Sequence, residues 1–140
     1  MEQRPEAIQA NTQQQIYAVE SKTTWTWRTL TAYDFDESDL TDDVAWNDLD
    51  LSSIVGTKKC VVNLFVRASD GVTGNYVAFR PNGSTSTVGV QVVNISVTSQ
   101  YFYGSMNVET DSSGVVEIQC SLAPNNWTHI DIAVRGYRDA

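Results

Sequence analysis

The hydrophobic and polar positions of residues 59–83 alternate as in two β-strands joined by a turn. In the first half every second residue is apolar, and these residues share one strand face: Cys60, Val62, Leu64 and Val66. This period of two is typical of a half-buried strand, although Val61 and Phe65 add apolar side chains to the other face. Gly, Asp and Asn residues then favour a turn. A second strand, 76–80, ends before Pro81, which cannot donate to a strand ladder.

Further strands with the same pattern follow along the chain, and turn residues separate them. We predict strands over 25–33, 88–97, the segment around Met106 and Val108, 116–120 and 127–137, and a short strand or single helical turn over 49–55. Seven or eight short strands without a long helix after residue 24 predict an all-β fold, an antiparallel β-sandwich. Eight strands would suit a jelly-roll-like arrangement. An immunoglobulin-like sandwich is the alternative, but no Trp lies between Cys60 and Cys120.

The first 24 residues differ from the rest and are predicted to form an N-terminal arm, extended or partly helical, before a sandwich domain over 25–140. They are rich in Gln, and Pro5 could open a helix. Ile8, Ile16 and Val19 would then lie near one helical face. The segment is either a frayed terminus or an arm that orders against a neighbouring subunit.

The length and net charge of the chain argue against two classes of binding partner, nucleic acids and membranes. The 140 residues suit one domain, and 17 acidic residues against 9 Lys and Arg give a net charge of −8. We therefore expect no nucleic-acid partner, because phosphate binding requires clustered Lys and Arg, and no membrane partner. The two cysteines, Cys60 and Cys120, are expected to be buried free thiols, with a bridge between them as the alternative.

An acidic stretch follows the first predicted strand. Residues 34–50 hold eight Asp and Glu residues and no Lys or Arg, which is typical of a solvated loop. The stretch begins like a calcium-binding loop, but the required Gly is Asp39 and the required final Glu is Ala45. A looser calcium site at Asp34, Asp36 and Asp39 remains an open alternative, while no zinc site and no cofactor are expected.

Catalysis is not expected. His129 is the only histidine, and it shares the polar face of a predicted strand with Asp131. A Ser-His-Asp mechanism needs a serine held next to the imidazole, and the sequence marks none. We therefore interpret His129 as a surface or interface residue and the protein as a binding or structural module.

Two aromatic pairs are candidates for a sugar-binding platform. Trp25 and Trp27 lie two residues apart, as do Tyr101 and Tyr103, so each pair shares one strand face. The alternative is that these rings pack in the core or at a subunit contact.

The segments YVAFRPNG (76–83) and WTHIDIAVRGY (127–137) resemble those of small virion structural proteins of tailed bacteriophages. The likeness covers roughly residues 57–138. Proteins of this kind tend to be β-sandwich or jelly-roll domains that assemble as trimers, either as capsid decoration (cement) proteins or as tail-fibre domains. The resemblance implies no catalytic motif, and it covers neither the arm nor the acidic stretch.

The resemblance implies a trimeric cement protein on the capsid surface, with itself and the major capsid protein as partners. Under this hypothesis the arm would bind the shell, and apolar residues outside the core would form subunit contacts. The candidates are Ile8, Ile16, Tyr17 and Val19 in the arm, and Val61, Phe65, Tyr101 and Tyr103 in the sandwich. The alternative is a carbohydrate- or receptor-binding module of a tail fibre or tail tip, which would use Trp25, Trp27 or residues 101–103.

Overall fold

Alternating apolar side chains build two antiparallel sheets in the computed structural model, which describes residues 24–88 and 90–140. Within these residues the strands are β1 (Thr26–Trp27), β2 (Phe35–Asp36), β3 (Asn47–Asp50), β4 (Cys60–Ser69), β5 (Tyr76–Pro81), β6 (Gln91–Asn94), β7 (Phe102–Glu109), β8 (Val115–Cys120) and β9 (His129–Asp139). One helical turn, α1 (Ser52–Val55), follows β3, and 3₁₀ turns occupy Glu37–Asp39 and Pro124–Asn126.

The strands divide into sheet A and sheet B. Sheet A has the order β1-β9-β4-β7, with β2 also paired to β9, and sheet B has the order β3-β8-β5-β6. The long central pair, β4 with β9, runs from Cys60↔Asp139 to Ser69↔His129. The all-β sandwich that the sequence predicts is therefore confirmed.

The core lies between the two sheets, where every second side chain of each strand points inward. Sheet A contributes Val62, Leu64, Val66, Ile130, Ile132 and Val134, and sheet B contributes Val77, Phe79, Val116 and Ile118, all buried. Because strand side chains alternate between faces, the residues between these on β4 and β9 are directed away from the core. The outward side chains of these two strands range from buried Ala133 to exposed Arg135.

A β-bulge interrupts the alternation on β9. Asn63 of β4 pairs with Gly136, but the next residue, Leu64, pairs with Val134, so Arg135 has no opposite residue. A bulge places one extra residue in a strand and changes its twist. Because of the bulge, two consecutive residues of β9, Arg135 and Gly136, both lie on the outer side of sheet A.

Several predicted strand limits were wrong. The strand predicted over 25–33 is limited to Thr26–Trp27, because the chain then leaves the sheet as a loop, and the strand predicted over 88–97 is limited to Gln91–Asn94. Both alternatives for 49–55 occur in succession, since β3 ends at Asp50 and α1 starts at Ser52. The expectation of free thiols is met: Cys60 and Cys120 are buried and unbridged.

The predicted arm lies almost wholly outside the described residues. The shell-binding candidates Ile8, Ile16, Tyr17 and Val19 belong to that part, so their roles stay predictions. Across the described residues, the search for a helix of membrane-spanning length and hydropathy found none.

Candidate functional site

The outer side of sheet A carries a connected row of aromatic rings. We call this row the aromatic face; it consists of Tyr33, Phe65, Tyr103, Tyr101 and His129. Ring centroids of successive members are 6.4 Å apart for Tyr33–Phe65, 5.9 Å for Phe65–Tyr103, 6.4 Å for Tyr103–Tyr101 and 5.6 Å for Tyr101–His129. These spacings lie in the range of favourable ring pairs. The rings therefore support one another as a preformed surface.

Strand register explains why the rings of β4 and β7 meet. Phe65 pairs with Ser105 and Arg67 pairs with Tyr103, so these outward residues lie side by side on neighbouring strands. Tyr101 and Tyr103 remain 42% and 59% exposed. β7 is an edge strand of sheet A, so the exposed tyrosines occupy the margin of the sheet.

Arg67 contacts two rings of the aromatic face, Tyr33 and Tyr101. Its guanidinium carbon lies 4.7 Å from the ring centroid of Tyr33 and 4.9 Å from that of Tyr101. Its Nε donates a 2.8 Å hydrogen bond to Asp131 Oδ2. This hydrogen bond raises the pKa of Arg67 above its ordinary value. Cation–π contacts and a paired charge together fix the guanidinium plane among the rings.

An ion pair brings Tyr33 to the face. Arg28 donates to both carboxylate oxygens of Asp34, at 2.7 and 2.9 Å, and also to the carbonyl oxygen of Val134 at 2.8 Å. Asp34 in turn accepts from the Val134 amide at 2.8 Å. Hydrogen bonds to β9 thus hold both ends of the segment 28–34, and the residues between them form a loop that presents Tyr33.

This loop and the sheet enclose a groove of about 460 Å³. Its lining includes residues 30–32 of the loop, the rings of Tyr33 and Phe65, and the side chains of Arg67 and Arg135. Ala133, also in the lining, pairs with Phe65 across the sheet. The small Ala133 side chain leaves space between the larger neighbours.

Arg135 completes this groove. Its guanidinium carbon lies 5.0 Å from the ring centroid of Phe65, and its Nε donates to Asn63 Oδ1 at 2.8 Å. The Asn63 amide in turn donates to Asn107 at 2.8 Å. Arg135 is therefore oriented by its Nε.

A second aromatic pair lies at the β1 side of sheet A. Trp25 and Trp27 stack with ring centroids 5.1 Å apart, and Trp27 is 62% exposed. Arg138 lies 5.7 Å from the ring centroid of Trp25. The expectation that the two tryptophans share a face holds, but neither lines the groove.

The structure brings together three of the four predicted contact residues of the sandwich, Phe65, Tyr101 and Tyr103. Val61 is also half-buried on the same side of β4. Tyr33, Arg67 and Arg135 were not predicted from the sequence as site residues. Of these, Arg67 could have been identified, because it lies two residues from Phe65 on the same strand face.

The acidic residues considered for calcium have other contacts. Asp34 pairs with Arg28, while Asp36 and Asp39 form a capping box at the 3₁₀ turn 37–39. Hydrogen bonds from the hydroxyl and amide of Ser38 lower the pKa of Asp36. Over the described ranges, no group of three or more His, Cys, Asp or Glu side chains is arranged to hold a metal ion.

His129 is placed against an aromatic ring. It is exposed and stacks on Tyr101, and its strand partner on β4 is Ser69. Asp131, which the sequence places beside His129, accepts a hydrogen bond from Arg67 and forms an ion pair with it. The arrangement therefore makes His129 one end of the aromatic face.

Comparisons with protein-family models, with curated proteins and with solved structures found no match for this chain.

Proposed function

We propose that this protein is a structural protein of a phage virion, a capsid decoration protein that assembles as a homotrimer through the β7 side of its aromatic face. The observation that carries the proposal is the exposure of Tyr101 and Tyr103, at 42% and 59%, beside Phe65 on the edge of a folded sheet. Interface cores are enriched in aromatic residues that are rigid and become desolvated on association.

The fold supports this use of the surface. The proposal includes a jelly-roll-like topology. It is supported by the strand orders of the two sheets, β1-β9-β4-β7 and β3-β8-β5-β6, because strands that are consecutive in the chain mostly lie in different sheets. A rigid sandwich presents its rings without ordering a loop at the moment of binding, which lowers the entropic cost of association.

The expected mechanism is mechanical and has no catalytic step. Three copies joined into one particle can contact several neighbouring capsid subunits at once. Each contact can then be weak, because linked sites raise the total affinity by orders of magnitude without any new contact. The major capsid protein is the second partner in this proposal.

Co-sedimentation with purified phage heads that lack the protein tests the proposal. The full chain is compared with the double variant Tyr101→Ser/Tyr103→Ser and with Val72→Ser, a matched control because Val72 and Tyr103 are both 59% exposed. We expect the native chain and the control to sediment with heads, and the double variant to lose most binding. Failure of the native chain to bind any head would contradict the decoration role.

A second candidate function is a carbohydrate- or receptor-binding module of a tail fibre or tail tip. The groove between loop 28–34 and β4 favours it, because aromatic and arginine side chains line one concave site. The groove lies on the β9 side of Phe65, whereas Tyr103 lies on β7, the neighbouring strand on the other side. A trimer built through β7 can therefore leave the groove open.

A further inference from the structure

The groove beside loop 28–34 has the size and the walls of a ligand site. Its volume of about 460 Å³ falls within the roughly 300–1,000 Å³ of small-molecule sites. Tyr33 and Phe65 line it with rings 13° from parallel. Such rings can pack against the C–H face of a sugar ring, which is the apolar side of a pyranose.

Two arginines line this groove, and both retain hydrogen-bonding capacity. Arg67 uses Nε for Asp131, and Arg135 uses Nε for Asn63. The Nη groups of these two residues donate no hydrogen bond to any other residue in the described part of the chain. A guanidinium fork with its Nη atoms available matches the two oxygens of a carboxylate.

The charged side chains in the lining of the groove are all positive, although Asp131, outside the lining, pairs with one of them, Arg67. The protein carries a net charge of −8, yet the groove lining contains two arginines and no Asp or Glu. The Tyr33 hydroxyl is protonated at neutral pH and can donate a hydrogen bond, and burial raises its pKa further above the ordinary value. An anionic ligand would thus meet donors and rings together.

From these features we infer that the groove binds a carboxylate-bearing sugar, of the uronic-acid type, with its ring against Tyr33 and Phe65 and its carboxylate on Arg67 and Arg135. This inference rests on the second candidate function and names its ligand class. A neutral sugar would use the rings but leave the guanidinium groups without a charged partner. An inorganic or small organic anion would use the guanidinium groups alone.

An NMR titration of the full, ¹⁵N-labelled chain tests the assignment. Methyl β-glucuronide and methyl β-glucoside share a pyranose ring and differ only in having a carboxylate or a hydroxymethyl group, and sodium acetate supplies the carboxylate alone. We expect glucuronide to shift the amide signals of Phe65 and Ala133, and to bind at least about tenfold more tightly than either other probe, since charge-assisted hydrogen bonds are roughly twice as strong as neutral ones.

Two variants locate the effect. Arg135→Gln removes a groove charge, while Lys59→Gln removes an equal charge from an exposed pair outside the groove. We expect Arg135→Gln to weaken glucuronide binding by about tenfold or more, which corresponds to the loss of one charged contact. Lys59→Gln should leave binding unchanged, and Arg135→Lys should retain part of it. Thermal unfolding of each variant establishes that it folds.

The results of the titration distinguish an error in the ligand class from an error in the proposed carbohydrate-binding function. Equal binding of glucoside and glucuronide would overturn the carboxylate assignment and keep a carbohydrate-binding function. Equal binding of acetate and glucuronide would reduce the groove to a general anion site, and stronger binding of a hexaglutamate peptide would assign it to an acidic protein. No binding by any probe would overturn the inference and remove the support that the groove gives to the second candidate function.

Discussion

The indole ring of Trp27 lies against the backbone of Gly136, its partner across the β1–β9 ladder. A Cβ atom at position 136 would be too close to the ring atoms Cε3 and Cζ3, and 2.9 Å from the carbonyl oxygen of Thr26. The glycine therefore allows the short strand β1 to lie close to β9. Gly136 also follows directly after the bulge at Arg135. The bulge and the glycine together fit β9 to its neighbouring strands.

Gly136→Ala is expected to destabilise the protein by about 1–2 kcal/mol, because the added methyl group overpacks the Trp27 contact. Urea unfolding measures this loss. The same substitution in a Trp27→Ala background should cost less, since the ring is gone, and the difference gives the coupling between the two residues. An equal cost in both backgrounds would show that the ring does not limit the space at position 136.

Arg80 and Glu117 form a well-covered ion pair on sheet B. Their Nε–Oε2 distance is 2.6 Å with side chains 11% and 14% exposed, and Trp46 lies 4.0 Å from the guanidinium carbon. Arg80→Ala should lower the free energy of unfolding by about 3 kcal/mol, because it leaves a desolvated carboxylate unpaired.

The matched control for Arg80 is Lys59→Ala. Its ion pair with Glu109 has side chains 62% and 43% exposed, and such surface pairs contribute about 0–1 kcal/mol. Chemical denaturation compares the two variants. If Lys59→Ala lowered the free energy of unfolding as much as Arg80→Ala does, burial would not explain the larger contribution of the Arg80–Glu117 pair.

Asp111 gives stability a defined pH dependence. Its carboxylate accepts hydrogen bonds from Asn82, Ser113 and Val115, and these lower its pKa below the ordinary 3.8. A lowered pKa in the folded state means that the contribution is complete above the unfolded-state pKa. It is lost as the pH falls through the folded-state pKa.

Asp111→Asn is therefore expected to cost about 1 kcal/mol at neutral pH, and the difference from the native chain should shrink as the pH falls below 3.8. Thermal or urea unfolding across this range measures it. Asp48→Asn is the control, because Asp48 is exposed and its side chain accepts no hydrogen bond from the described residues. A gap between Asp111→Asn and the native chain that widens in acid would contradict the prediction.

The two thiols should be chemically silent in the folded protein. Burial raises the pKa of the Cys120 thiol to about 12, and Cys60 is fully buried. Because the thiolate is the reactive form, a thiol reagent at mildly alkaline pH should label neither residue until denaturant is added, and then both. Rapid labelling of the native chain, or no labelling of the denatured chain, would contradict the buried free-thiol state.

Sequence patterns predicted the sandwich because period-two alternation is a local property. They also identified Phe65, Tyr101 and Tyr103, since an apolar side chain on a polar strand face is visible without knowing the partner strand. The loop that carries Tyr33 was predicted as a strand, because its β-branched and aromatic residues favour strands. Its actual path depends on the Arg28–Asp34 ion pair and on hydrogen bonds to β9.

The groove could not be predicted from the sequence. It requires Arg135 of β9 to lie next to Phe65 of β4, a contact across the pairing of two strands far apart in the chain. It also requires Tyr33 to meet Arg67, 34 positions later in the chain. Both depend on how distant strands pair, and periodicity within one strand does not contain that information.

The central claim, self-association through the β7 side of the aromatic face, is tested most directly by the mass of the particle in solution. Light scattering after size-exclusion chromatography, at micromolar concentration, is applied to the native chain, to Tyr101→Ser/Tyr103→Ser and to the Val72→Ser control. We predict the mass of three chains for the native protein and the control, and the mass of one chain for the double variant. A monomeric native chain, or a double variant that keeps the trimer, would contradict the claim.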